Sequence, residues 1–135
     1  MEIFKLEADV SIFYFNVPEF PNGIEEKFTE ILHMLPDMNG RTFYGISYFN
    51  EDGAIVYNCG VNEIRKNEGK DFGGEHFLLP AGEYLSSTIH NWMSDLELIK
   101  TTLMKLMDDP RYDKNFPCIE VYKTDKVLQC LVKIA

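Results

Sequence analysis

The chain has 135 residues, of which 45% are apolar and 26% are charged, a balance typical of one globular domain. This composition excludes a mostly disordered or fibrous chain. Acidic residues outnumber basic ones by 22 to 13, which gives a formal net charge of −9. A surface of that sign repels phosphate, so neither DNA nor RNA is expected as a direct partner.

The cysteines and the N-terminus indicate the compartment. Cys59, Cys118 and Cys130 are odd in number and form no C-x-x-C pair, so they are interpreted as reduced thiols. The N-terminus lacks the apolar core of a signal peptide, and no apolar run approaches the length that spans a bilayer. We therefore expect a cytoplasmic protein without a membrane partner.

The first half of the chain predicts a strand followed by a helix. Residues 7–17 alternate with period two and are apolar on both sides near their end, which favours a strand inside a sheet. Asn22 and Glu25 have the spacing of a capping box. Apolar residues then recur at helical spacing until Pro36, so an amphipathic helix of three to four turns is predicted.

A hairpin completes this half. Residues 42–49 and 54–63 are predicted strands, and the sequence Asn50-Glu51-Asp52-Gly53 between them is typical of a tight turn. Residues 64–74 are polar and rich in glycine, and they are interpreted as a connection to the second half.

The second half repeats the order of helix and hairpin. Ser94 and Glu97 have the spacing of a second capping box, and the helix that follows is expected to end before Pro110. The predicted strands of this half are residues 75–79, 83–90, 117–123 and 127–134, the last two joined by a turn that begins at Thr124.

The spacing of these features predicts an internal duplication. The two capping residues are 72 residues apart, and the two hairpin turns begin 74 residues apart. We therefore expect one α+β domain, residues 1–135, with pseudo-repeats at about 7–63 and 75–135. Two strand-helix-strand-strand units would form one antiparallel sheet with both helices on one face, leaving a concave, partly open face for a ligand.

One glutamate stands out on the final hairpin. Side chains alternate along a strand, so Cys118, Glu120 and Tyr122 share one face while Ile119 and Val121 share the other. Interpreting Ile119 and Val121 as the core under the helices places Glu120 on the concave face. Glu120 is then either a solvated strand residue or a carboxylate in an aromatic pocket, ready for a cationic or hydrogen-bond-donating ligand.

Aromatic residues are frequent, at 13% of the chain, and tyrosine and tryptophan offer flat apolar area suited to planar ligands. Most are expected to be packing residues. Those near predicted strands or strand ends are Tyr44, Tyr48, Tyr57, Tyr84, Trp92 and Tyr122. Gly45 and Ser47 share a strand face and indicate that something bulky approaches that face closely.

Other chemistry has little support. His33, His76 and His90 have no metal-ligand spacing, so no metal site is expected. No phosphate-cradling glycine loop and no nucleophile motif is present, so neither a cofactor nor a catalytic residue is predicted.

Three elements in order carry a family resemblance. They are Pro80-Ala81-Gly82-Glu83-Tyr84 leading into a strand, a capped helix after Trp92, and Pro117-Cys118-Ile119-Glu120-Val121-Tyr122. In this the chain resembles the GyrI-like family, also called the effector-binding domain of AraC-type and MerR-type bacterial regulators. The resemblance implies a duplicated SHS2-type fold whose cleft binds small, often cationic and aromatic, molecules.

The resemblance also implies residue roles. Glu120 matches the position of the acidic anchor, and the aromatic lining would fall to Tyr44, Tyr84, Trp92 and Tyr122. With Tyr48 from the strand analysis, these form the predicted ligand-binding set. The sequence leaves no room for a helix-turn-helix module before Glu7, so we expect a stand-alone domain that would need another chain to bind DNA.

Three functions follow from these expectations. The first is binding of a small lipophilic molecule, cationic aromatic compounds included, as an effector-binding protein related to transcription regulators. The second is a hydrolase that acts on a reactive small molecule through the same glutamate. The third is a protein-binding role like that of the gyrase-inhibiting relatives. Ligand identity and oligomeric state stay open.

Overall fold

A computed structural model describes all 135 residues and contains eight strands and three α-helices. The strands are β1 (Glu2–Leu6), β2 (Val10–Asn16), β3 (Phe43–Phe49), β4 (Ile55–Asn62), β5 (Glu75–Leu79), β6 (Gly82–His90), β7 (Cys118–Tyr122) and β8 (Val127–Lys133). The helices are α1 (Ile24–Met34), α2 (Glu68–Asp71) and α3 (Glu97–Met107), with a 3₁₀ turn at Trp92–Ser94 before α3. The predicted α+β class is confirmed.

All strands belong to one curled antiparallel sheet in the order β1-β6-β8-β7-β3-β4-β2-β5. β3 and β7 pair at its centre. From that centre outwards the strands run β3-β4-β2 on one side and β7-β8-β6 on the other. In each half, therefore, the strand after the long helix is central, its hairpin partner lies next to it, and the strand before the helix lies outside.

The outer strands differ from the sequence prediction. β1 was not predicted, and it pairs with β6 through a register that opposes Phe4 to Tyr84. The sequence predicts that residues 75–79 belong to the second half, but β5 pairs with β2 of the first half. Both strands owe their conformation to a partner distant in sequence, so local periodicity was a poor guide to them.

The two long helices form where the sequence predicted them, but their caps differ. Gly23, with a φ of +96°, precedes α1, and Asn22 makes no side-chain cap. The Ser94 hydroxyl donates to the Asn91 carbonyl, 2.8 Å away, and does not cap α3. Asp95 accepts a hydrogen bond from the Leu98 backbone N–H instead, at 3.2 Å. With 11 residues each, these helices are too short to cross a membrane.

The core consists of two layers, one on each face of the sheet. On one face, Ile31 of α1 packs with Tyr57 and Cys59, and Leu103 and Leu106 of α3 pack with Cys118 and Cys130. Both long helices therefore cover the same face, as predicted. The opposite face carries a cluster without helices. Its members are Ile12, Tyr44, Ile46, Leu79, Tyr84, Ile119, Val121 and Leu131.

This arrangement corrects the predicted facing of β7. Ile119 and Val121 do not lie under the helices; they pack on the opposite face. Glu120 shares its face with Cys118, which packs beside α3, so Glu120 lies on the helix-bearing face.

Candidate ligand-binding site

A cavity of about 1810 Å³ opens on the helix-bearing face, with α1 on one side and α3 on the other. Ile24 and Phe28 line it from α1, and Ile99 and Leu103 line it from α3. Glu120, on the central strand β7, lies in its floor. The part of the cleft that holds Glu120 therefore lies between the helices, whereas the sequence predicts a cleft on the opposite face. The cavity also reaches that opposite face, where Tyr14, Ile46, Phe77 and Phe116 line it.

Glu120 is the polar centre of this floor. Glu120 is only 6% exposed to solvent. The Tyr122 hydroxyl donates to Glu120 Oε1 at 2.7 Å, and the Tyr57 hydroxyl donates to the same oxygen at 3.0 Å. No lysine, arginine or histidine forms an ion pair with Glu120. The floor of the cleft thus holds a buried carboxyl group with no counter-charge.

Burial governs the ionisation of this group. Loss of solvation raises the pKa of Glu120 above its ordinary value, while the hydrogen bonds from Tyr122 and Tyr57 partly oppose the rise. Burial and the neighbouring Glu120 charge also raise the pKa values of both tyrosines well above 10. Both phenols therefore stay protonated and remain hydrogen-bond donors to the carboxyl group.

Gly45 makes room for this arrangement. It lies opposite Glu120 in the β3–β7 pair, and a Cβ at this position would collide with the Tyr57 hydroxyl. The same Cβ would lie 2.9 Å from Tyr57 Cζ and 3.1 Å from Glu120 Oε1. The close approach predicted at Gly45 is confirmed, and the group that approaches is the protein's own Tyr57.

Aromatic rings surround the carboxyl cluster. Phe20 stacks on Tyr57 with ring centroids 5.2 Å apart and an interplanar angle of 6°. Phe28 and Trp92 each meet Tyr122 edge to face, with centroids 5.3 and 5.2 Å away. Such edge-to-face packing holds the Tyr122 ring, and with it the hydroxyl that contacts Glu120, in one orientation.

The predicted site residues divide between the two faces of the sheet. Glu120, Tyr122 and Trp92 come together in the cleft. Tyr44 and Tyr84 lie in the cluster on the opposite face, where the Tyr84 hydroxyl donates to the Pro80 carbonyl at 2.5 Å.

Tyr48 shares its strand face with Tyr44, because side chains alternate along β3. It is 48% exposed and is one of the residues that line the cavity. Sequence reasoning did not include Tyr57, Phe20 or Phe28 in the site. The small residue at 45, beside the strand that carries Tyr57, was the available signal for the first of them.

Charged residues at the rim are mainly acidic. Two lysines, Lys100 and Lys114, line the cavity, against five acidic residues apart from Glu120. Those acidic residues are Glu25, Glu26, Glu97, Asp108 and Asp125. An acidic rim raises the local concentration of cations and repels anions.

The three cysteines are free and buried. Burial raises the pKa of Cys59 and of Cys130 to about 12, and that of Cys118 to about 11. Because the thiolate is the reactive form, none of them is suited to act as a nucleophile near neutral pH.

Comparison with known families decides the affiliation. The family model described as the GyrI-like small molecule binding domain matches residues 13–132 of this chain. The chain belongs to the GyrI-like family. No curated protein matches this GyrI-like domain.

Three solved structures are similar to the GyrI-like domain over nearly its whole length. An integron cassette protein from the mobile metagenome of Vibrio cholerae aligns with a TM-score of 0.65 at 9% identity, covering 99% of this chain and 95% of its own. The protein SAV2435 bound to tetraphenylphosphonium aligns with a TM-score of 0.63 at 10% identity, and the alignment covers 99% of this chain and 93% of SAV2435. A hydrolase from Listeria innocua aligns with a TM-score of 0.60 at 10% identity, and the alignment covers 99% of this chain and 90% of the hydrolase. At such low identity these likenesses show a shared fold alone.

Proposed function

We propose that this GyrI-like domain binds a small, lipophilic, cationic aromatic molecule in the cleft between α1 and α3. The observation that carries the proposal is the unpaired carboxyl group of Glu120, 6% exposed and without a counter-charge. Burying a lone carboxylate costs several kcal/mol, and a cationic ligand offsets that cost by supplying the missing partner. The acidic rim favours entry of the same charge.

The surrounding rings support an aromatic ligand. Trp92, Tyr122 and Phe28 present ring surface beside Glu120, and aromatic faces attract cations as well as other rings. We assign Glu120, Tyr122 and Trp92 as ligand contacts and add Tyr57. Tyr48, on the face opposite Glu120, would contact only a ligand large enough to extend beyond the carboxyl cluster.

Tyr44 and Tyr84 are assigned no ligand contact, because their side chains pack on the far face of the sheet. They support the site indirectly by filling the core beneath β7.

A structural relative favours the same ligand class. SAV2435, which shares the fold, is bound to tetraphenylphosphonium, a lipophilic cation surrounded by aromatic rings.

As part of the proposal, the GyrI-like domain acts in the cytoplasm as an effector-binding protein of a regulatory system. The matching strand order in the two halves supports their origin as SHS2-type repeats.

Binding can be tested with tetraphenylphosphonium itself. Trp92 is the single tryptophan and lines the cleft, so its fluorescence reports occupancy directly. We expect saturable quenching in the wild type and at least about tenfold weaker binding in Glu120→Gln, because a charged partner in a buried site contributes more than 1.4 kcal/mol.

Two controls sharpen this test. Glu83→Gln removes an exposed strand carboxylate outside the cleft and should bind like the wild type. Triphenylphosphine oxide, which is neutral, should bind weakly to every variant. Equal affinity in Glu120→Gln and wild type, with equal binding of the neutral oxide, would refute the role of the carboxyl group.

Hydrolysis of a reactive small molecule in the same cleft is the second candidate. The raised pKa of Glu120 suits a carboxyl group that delivers or accepts a proton near neutral pH, and a relative with the same fold is a hydrolase. Chromatographic detection of diol from an aromatic epoxide, lost in Glu120→Gln, would support this activity. Binding without turnover would restrict the domain to the first function.

A further inference from the structure

The carboxyl cluster of Glu120, Tyr57 and Tyr122 contains three short contacts and only two hydroxyl protons. Both hydroxyls lie within hydrogen-bond distance of Glu120 Oε1, and the two hydroxyl oxygens are 3.1 Å apart. A phenol has one proton to donate and two lone pairs, and an ionised carboxylate has no proton. Both protons are used inside the cluster, either when both hydroxyls donate to Glu120 Oε1 or when one of them donates across the 3.1 Å contact.

When Glu120 is ionised, as it is beside a bound cation, the unfilled positions of the cluster are all hydrogen-bond acceptors. Glu120 Oε2 accepts no hydrogen bond from the protein, and it is not among the side-chain atoms that are sealed from the surface without a partner. Each hydroxyl oxygen also keeps a lone pair. All three residues line the cavity, so a ligand that reaches its floor meets oxygen acceptors without a matching donor from the cluster.

This arrangement distinguishes between two kinds of cation. A quaternary ammonium or phosphonium centre neutralises the carboxylate, but it has no N–H group and leaves the acceptors desolvated and unpaired. A protonated amine or amidinium carries the same charge and also donates N–H bonds, which are short and strong when they reach a carboxylate. It also approaches Oε2 more closely, because no methyl or phenyl group separates the charges.

We propose that the GyrI-like domain selects aromatic ligands that carry an N–H cation, such as a primary ammonium or an amidinium, over quaternary cations of equal charge. The inference rests on the proposed function, since it concerns the same cleft. It assigns ligand selectivity to the three oxygens of the cluster, Glu120 Oε2 and the hydroxyls of Tyr57 and Tyr122.

A matched pair of ligands isolates this property. 1-Naphthylmethylammonium and its N,N,N-trimethyl analogue share one ring system and one charge, and they differ in the N–H donors. Isothermal titration calorimetry of the wild type should show the primary ammonium binding about tenfold or more tightly than the quaternary analogue.

Variants locate the selectivity in the cluster. In Glu120→Gln the ratio of the two affinities should fall towards one, whereas Glu83→Gln should keep the wild-type ratio. Tyr57→Phe removes one acceptor oxygen and leaves Glu120 in place, so its ratio should lie between those of wild type and Glu120→Gln. This second variant keeps the test informative if Glu120→Gln folds poorly.

The outcomes separate this inference from the proposed function. If both cations bind the wild type equally and Glu120→Gln weakens both, the cleft is a general cation site and the selectivity proposal is wrong. If the quaternary analogue binds more tightly, the selectivity proposal is also wrong. If neither ligand nor tetraphenylphosphonium binds, the proposed function itself fails.

Discussion

Gly45→Ala tests whether the sheet has been shaped around the Tyr57 hydroxyl. The backbone at Gly45 is not in the left-handed region, so the substitution acts through contacts alone. The new methyl group would collide with the hydroxyl and lie 2.9 Å from Tyr57 Cζ. Tyr57 is 4% exposed and stacked on Phe20, so its ring has little freedom to withdraw.

The expected destabilisation follows from two alternatives. If Tyr57 stays, overpacking of a buried site costs about 1–3 kcal/mol. If it moves, its hydrogen bond to Glu120 is lost, at a cost of roughly 1.5–3 kcal/mol for a bond to a charged group. We therefore expect Gly45→Ala to lower the free energy of unfolding by about 2 kcal/mol, measured by urea denaturation followed by circular dichroism.

A double-mutant cycle checks the mechanism. In a Tyr57→Phe background the colliding oxygen is absent, so Gly45→Ala should cost less by about 1 kcal/mol. Gly53→Ala is the matched control, because its φ of +80° is strained by any side chain while nothing lies within 4 Å of its Cβ. Its cost should be equal in both backgrounds. An equal cost of Gly45→Ala in both backgrounds would refute the proposed contact.

Three further predictions concern buried ionisable groups. Because the pKa of Glu120 is raised in the folded protein, Glu120 ionises at lower pH in the unfolded chain than in the folded one. The free energy of unfolding of the wild type, measured in urea relative to that of Glu120→Gln, should therefore fall as pH rises above the ordinary pKa of glutamate. A difference that does not change with pH would contradict this prediction. Arg41→Met removes the buried ion-pair partner of Glu68, which is 3% exposed, and leaves only the exposed Arg65 at 3.9 Å. The change should lower the free energy of unfolding in urea by roughly 3 kcal/mol, with partial recovery in Arg41→Met/Glu68→Leu. The three thiols should resist iodoacetamide at pH 8 until urea unfolds the chain, as followed by mass spectrometry; rapid native labelling would show that they are accessible.

Much of the fold could be predicted because its elements have local signals. Both long helices have apolar residues at helical spacing, and both hairpins have turn sequences, so these elements were found with small errors at their ends. β1 has no such signal: the charged residues Glu2 and Lys5 interrupt any period-two pattern, and the segment is a strand because β6 offers it hydrogen-bond partners.

The facing of β7 could not be predicted from alternation. Cys118, Ile119, Glu120 and Val121 are all buried, so neither face of this central strand is solvent-exposed and the pattern does not show which face carries the helices. Assigning Ile119 and Val121 to the helix side placed Glu120 on the wrong face of the sheet, although Glu120, Tyr122 and Trp92 were still grouped together. Tyr57 joins them through pairings across three strands, which no local pattern records.

The carboxyl cluster spans the central seam of the sheet. Tyr57 belongs to β4 in the first half, and its hydroxyl passes over Gly45 to reach Glu120 and Tyr122 on β7 in the second half. A ligand held by this cluster would contact residues of both halves and would stabilise the two halves against each other. Its occupancy should slow amide hydrogen exchange in β3 and β7 together, on both sides of the seam, including at residues that no ligand atom touches.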